Sequence, residues 1–261
     1  MTKLQTIVLV LACLLFCGVY FGTNTNPESQ KKVEQERARS ATSTSIEVLI
    51  KEARLSLSRD TAALIMGLEQ ELSKSSIDSL KVESLKRLAG LWYDAGHAAV
   101  SGHYAEEVAN ILDTEEAWSI AGTTYMIGGR QASEEKIKRF SYSKAIISLE
   151  NAVSLDPSDY SNKVNLALNY IEYPQLAGPM KGIMMLREYN EQAPDNVLVL
   201  NTLARLAVQT NQFERAIERL TKVISLEPKN KQANCLLVKA YDGLGNKEKA
   251  AEYAAKCIDG Q

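Results

Sequence analysis

The chain has 261 residues, 45% of them hydrophobic and 24% charged, with a formal net charge of -2. That length suits one or two globular domains or a single solenoid, and the composition is ordinary for a soluble domain. A balance this close to neutral sets up no global field for nucleic acid. Four cysteines without a Cys-x-x-Cys pair exclude a zinc ribbon and a thioredoxin-like motif.

From Leu4 to Phe21 there is no charged residue, and Ile, Val, Leu, Ala, Phe and Cys dominate. As a helix this run spans about 27 Å, close to the thickness of a hydrocarbon core. Tyr20 and Phe21 stand where aromatics favour an interface. A transmembrane anchor over 4–22 is the first expectation. A cleaved signal peptide and a lipoprotein are the alternatives, but no good cleavage site follows and Val10-Leu11-Ala12-Cys13 is only a loose lipobox. Lys3 precedes the run, and Lys31, Lys32, Arg37 and Arg39 follow it, which places the C-terminal side in the cytoplasm. Cys235 and Cys257, read as unpaired, agree with a reducing compartment. Against this, a short basic start before an apolar run directs export.

Residues 23–44 are polar and bury little, so they read as a flexible linker. Residues 45–78 read as a helical cap. Thr44 or Ser45 is placed to start it, Asp60 or Thr61 to start a second helix, and the apolar stripes are Ile46, Leu49, Ile50, Ala53, Leu57 and then Leu64, Ile65, Leu68, Leu72.

A repeated grammar follows over 79–258. The first unit, 79–112, places Leu85, Leu88, Ala89 and Trp92 on one helical face. The second, 114–157, opens on Trp118, Ala121, Gly122 and Tyr125 and closes on Ala145, Leu149, Ala152 and Pro157. Between its halves lie extra residues, 128–143, expected as an elongated loop or a partner contact. The third unit, 160–194, carries Leu166, Ala167 and Tyr170, with Pro179 suited to the first turn of its second helix. Met180, Met184 and Met185 are expected to pack in its core rather than to form an adaptable binding face. In the fourth, 197–228, Leu200, Leu203, Ala204 and Ala207 answer Ala216, Leu220 and Val223 across a turn at Thr210-Asn211-Gln212, and Pro228 ends the unit. The fifth, 231–258, keeps Tyr241, Ala250, Ala254 and Cys257 in register.

This pattern resembles the tetratricopeptide repeat family, whose unit is about 34 residues long. The resemblance implies an all-α fold: a tetratricopeptide-type α-solenoid, a right-handed superhelix of helical hairpins behind the N-terminal transmembrane helix. The whole looks like a bacterial single-span membrane-anchored protein of this family, in the inner membrane, with the soluble domain cytoplasmic rather than periplasmic. In the resembled family, one side of each first helix lines a concave groove that binds peptides. The matching positions here include Val164, Leu168, Asn201, Arg205, Val208, Gln232, Lys239 and Asp242. Arg205 and Lys239 could receive a carboxylate or an acidic segment. Thr202 and Leu236 depart from the family's clamp for a C-terminal carboxylate, which speaks against a chaperone tail as ligand.

No chemistry is expected. His97 and His103 are six apart, not at metal-pair spacing, and Glu106-Glu107 and Glu134-Glu135 read as ordinary helix charges. Gly243-Leu244-Gly245 lacks both phosphate-binding patterns. The expected function is therefore a membrane-anchored scaffold or adaptor, not an enzyme, without cofactor or metal. Its partners would be an unidentified protein or peptide and the lipid bilayer, with an open face on the last unit for self-association and no nucleic acid. The alternatives are an exported repeat protein acting in envelope biogenesis and an oligomerisation module.

Overall fold

The computed structural model describes Gln5 and residues 44–259, apart from Pro179. The chain divides into two compact units, and the second, Thr44–Gln261, holds the helices described here. They are α1 (Ile46–Arg54), α2 (Arg59–Lys74), α3 (Asp78–Asp94), α4 (Ala98–Leu112), α5 (Glu115–Gln131), α6 (Glu135–Leu155), α7 (Tyr160–Glu172), α8 (Lys181–Gln192), α9 (Val197–Gln209), α10 (Phe213–Leu226), α11 (Lys231–Gly243) and α12 (Lys247–Asp259). A 3-10 turn at Pro174–Leu176 joins α7 to α8. Among the described residues there is no strand.

The expected transmembrane helix does not stand. No helix among the described residues is long and apolar enough to cross a membrane. The stretch 4–22 and the linker to residue 43 lie outside the described residues, Gln5 apart. The likeness to a single-span protein, the inner-membrane location, the cytoplasmic assignment and the bilayer as partner all rested on that helix and are withdrawn with it.

Helix boundaries follow the local chemistry. Pro157, Pro194 and Pro228 lie just past the ends of α6, α8 and α10, where the missing N–H and the ring block continuation. Two residues later Asp159, Asn196 and Asn230 cap the next helix, their side chains accepting from the backbone N–H of Ser161, Val199 and Ala233. Thr114 caps α5 in the same way. The cap of α2 is Ser58 rather than Asp60 or Thr61; its hydroxyl accepts from the Thr61 N–H at 3.1 Å.

Three hairpin turns share one geometry. Gly96, Asn211 and Gly245 have φ of 82°, 56° and 76°. In each, the N–H of the following residue reaches back across the turn, from His97 to Trp92, from Gln212 to Ala207 and from Asn246 to Tyr241, at 2.8–2.9 Å. This left-handed step lets α3–α4, α9–α10 and α11–α12 reverse in a few residues.

The hairpin of α5 and α6 differs. The extra residues 128–143 do not form a loop. They lengthen both helices, to 17 and 21 residues, against 13 for α11 and 13 for α12, and leave only a short link at Ala132-Ser133-Glu134. The extension bends back over the N-terminal helices. Ile137 and Phe140 pack against the cluster of Leu49, Ala53, Leu88 and Trp92, and Lys136 Nζ reaches Glu52 on α1 at 2.9 Å. Ile137 and Phe140, which a loop would have left in water, are partly buried instead, which explains the helical outcome.

From α2 onward each helix packs on its neighbours in sequence, α1 packs on α4, and beyond that α4 touches α6, α5 touches α7, α7 touches α9 and α9 touches α11. The interior is a chain of clusters shared by successive hairpins. One joins Leu200 and Ala204 to Ala216, Leu220, Leu237 and Ala240, and another joins Val164 and Leu186 to Val199 and Leu203. Leu220 and Val223 are fully buried, each contributing about 1.5–3 kcal/mol by leaving water.

The Met expectation fails in part. Met185 packs against the core, but Met180 and Met184 are 51% and 63% exposed. Pro179 lies outside the described residues. The two cysteines read as unpaired are joined: Cys235 and Cys257 form a disulfide between the start of α11 and the end of α12. The cysteine argument for a reducing compartment falls with it.

Candidate functional site

The eight residues singled out for a groove lie on α7, α9 and α11, and the fold treats them differently. Val164 is 2% exposed, packed with Val199 and Leu203. Leu168 is half-buried against two neighbouring clusters. Asn201 is buried, and its Nδ2 donates to Oδ1 of Asn230 at 3.4 Å, the same oxygen that caps α11. Val208 leans on the cluster around Leu237. These four are occupied with holding first helices together, because each first helix is covered by the next one as well as by its own partner.

The other four face outward. Gln232, Lys239 and Asp242 are exposed and Arg205 is half-exposed. Asp242 forms an ion pair with Lys247. Arg205 and Lys239 form no ion pair or hydrogen bond among the described residues. A second accessible feature lies further back, between α3, α4 and α5. A cavity of about 340 Å³ there is lined by Ala89, Ala105, Val108, Leu112 and Ile120, with Lys86 and Glu116 on its rim. Leu112 and Ile120 are 42% and 52% exposed.

Polar groups missed in the sequence sit inside the N-terminal hairpins. Glu106 is buried, accepts from the Tyr125 hydroxyl at 2.6 Å and pairs with Lys144 Nζ at 2.8 Å. Burial and then the Glu106 charge push the Tyr125 phenol far above its ordinary value. The same pairing recurs as Tyr104 with Glu69 at 2.9 Å and Tyr142 with Glu172 at 3.3 Å; burial and the Glu172 charge raise Tyr142 to about 12. A signal was present: Gly102, Ala105 and Ala109 share a helical face with Glu106, and a carboxylate in an apolar stripe requires a partner.

Ser56 Oγ lies 2.7 Å from His97 Nε2 beside a cavity of about 270 Å³ lined in part by Glu52, Gln131 and Glu134. The Ser56 hydroxyl donates to the Ala53 carbonyl at 2.8 Å, so its proton is not held by the imidazole as a nucleophile's would be. Lys136 bridges Glu52 and Glu134 at 2.9 and 3.2 Å. No group of three or more His, Cys, Asp or Glu among the described residues could hold a metal ion. The Ser56 and Lys136 contacts tie the end of α1 to the starts of α4 and α6.

A family model matches the C-terminal hairpins. Residues 198–230 and 231–259 match the tetratricopeptide repeat. Those two repeats are α9–α10 and α11–α12, each preceded by a proline and an asparagine cap. No protein of curated function matches the chain. Among solved structures, the MamA protein is similar at 18% identity, over 69% of this chain and 91% of that one, with a TM-score of 0.45. MamA from Desulfovibrio magneticus RS-1 is similar at 16%, over 69% and 94%, with a TM-score of 0.45. YrrB, described as a tetratricopeptide-repeat protein with an unusual peptide-binding site, is similar at 16%, over 77% and 93%, with a TM-score of 0.41. Similarity of this order says nothing of what the chain binds.

Proposed function

We propose that the helical hairpins form a scaffold that receives a protein or peptide segment along the first helices, with 79–112, 114–157, 160–194, 197–228 and 231–258 as its units. The observation that carries this is the pair Arg205 and Lys239. They stand on successive first helices, reach solvent and meet no carboxylate of their own among the described residues. A cation left unpaired on a rigid helix is ready for a charge-assisted bond to an incoming carboxylate. Gln232 beside them adds a donor and an acceptor, while Val164 and Asn201 fix the spacing from beneath.

The test is a panel of acidic peptides measured by fluorescence anisotropy against the full chain. Arg205→Glu with Lys239→Glu is expected to weaken the best binder by about tenfold or more, which is about 1.4 kcal/mol. Unchanged affinity in that variant removes the first helices from the proposal.

A further inference from the structure

The hairpins α3–α4 and α9–α10 reverse on the same left-handed step, at Gly96 and Asn211, so α4 and α10 start in the same register. Five and twelve residues past Asn211 stand Ala216 and Val223; five and twelve past Gly96 stand Ser101 and Val108. All four are buried. Nine residues past the step the two hairpins part. There α10 has Leu220, fully buried in one cluster with Ala204 and Leu237, and α4 has only Ala105.

Nothing makes good the missing side chain. The residues that share the space with Ala105 include Ala89 on α3 and Ala117 on α5, and the cavity of about 340 Å³ lies among them. Ala105, Val108 and Ala117 in its wall belong to the buried interior, while Leu112 and Ile120 stand exposed at its mouth. A space of this order is within the range that encloses small ligands. Left empty, it forfeits the packing that an apolar guest would restore.

Charge at the mouth narrows the choice of guest. Lys86 is exposed and, among the described residues, has neither an ion pair nor a hydrogen bond. Glu116 is exposed too, but it stands in the first turn of α5, where its charge complements the helix N-terminus. Lys86 is therefore the uncommitted charge beside the cavity. The lining has aliphatic side chains and no aromatic ring, so it suits an alkyl chain and sorts guests by length.

We propose that this cavity binds an aliphatic carboxylate of medium chain length, its chain against Ala105, Val108 and Ala117 and its head on Lys86. The site lies on the N-terminal hairpins, apart from Arg205 and Lys239, and does not depend on what those two residues bind.

The experiment titrates hexanoate, octanoate and decanoate into the full chain by isothermal titration calorimetry. Affinity should rise about fourfold with each methylene. Equal affinity along the series, or no binding of decanoate up to about 1 mM, overturns the proposal. Ala105→Leu supplies the side chain that α10 has, and should weaken decanoate about tenfold or more by filling its place. The midpoint of thermal unfolding should be no lower than the parent's, since the added carbon enters empty space. A lower midpoint would show the space to be closed, and unchanged decanoate affinity would place the guest elsewhere; either overturns the proposal. Lys86→Gln, at an exposed position, tests the head. Decanoate should weaken about two- to fivefold, as for an exposed ion pair, and 1-octanol should bind as it does to the parent. Decyltrimethylammonium binding as tightly as decanoate would refute the role of Lys86. Competition is the remaining arm. If an acidic leucine-rich peptide displaces decanoate at a lower concentration than decanoate itself needs, the cavity takes a side chain of a protein partner and the assignment to an alkyl acid is wrong.

Discussion

Replacing Gly128 by alanine tests how closely α4 and α5 are pressed together. A Cβ at Gly128 would stand 2.7 Å from the Ala99 nitrogen and 2.9 Å from its Cα. Both are backbone atoms, so no side chain can swing aside, and α5 must retreat by about 1 Å to restore ordinary contact. Overpacking of this kind costs about 1–3 kcal/mol. Alanine recovers about 0.5–1 kcal/mol over glycine inside a helix. Taking the middle of each range, the net loss is about 1 kcal/mol, or a fall in Tm of about 2–4 °C for a domain of this size. Gly90, in α3, is the control: a Cβ there meets nothing within 4 Å. The same substitution at Gly90 keeps only the helix gain and should raise Tm by about 1–4 °C. Thermal unfolding of both variants beside the parent, followed by far-ultraviolet circular dichroism, gives the comparison. A Gly128→Ala protein that melts with or above the parent would refute the close approach.

Two further outcomes are expected. The Cys235–Cys257 disulfide closes a sequence separation of 22 residues, so its reduction should lower stability by about 3 kcal/mol in urea unfolding; peptide mapping that finds both thiols free before reduction would contradict the bond. His97 and His103 are each held below the ordinary value of 6.5, His97 by burial and His103 by burial against the pull of Glu107 and Glu106. The unfolded chain therefore takes up protons first, so stability is full above about pH 6.5 and falls as the pH drops below it, until the folded histidines titrate in turn. Thermal midpoints from about pH 7.5 to 6 should decline less in His97→Asn/His103→Asn than in the parent, and identical slopes would count against the assignment.

What was legible in the sequence was whatever depends on local spacing. The helical stripes, the turn at Thr210-Asn211-Gln212 and the proline before each cap are set within a few residues, and the helices fall where that chemistry puts them. What depends on contacts between distant segments was hidden. Nothing local distinguishes 128–143 as helix extension rather than loop, because Ile137 and Phe140 gain their reason to be helical from Leu49 and Trp92. Cys235 and Cys257 look independent until α11 and α12 fold against each other. Rotating positions on an isolated helix put Val164 and Asn201 on an open side, and it is the next first helix that closes over them. Arg205 and Lys239 escaped that covering, and they are the residues on which the proposed partner site turns.

The bond between Lys136 and Glu52 spans 84 residues, in a chain where most packing is between consecutive helices. During synthesis, α1 leaves the ribosome long before its brace exists. At about 5–20 residues per second the wait is about 4–17 s. Through that interval Leu49 and Ala53 lack the cover of Ile137 and Phe140. The first helix after residue 43, α1, thus receives its last cover only when α6 is made, and a nascent chain halted before α6 presents an apolar edge to chaperones that the finished protein never shows.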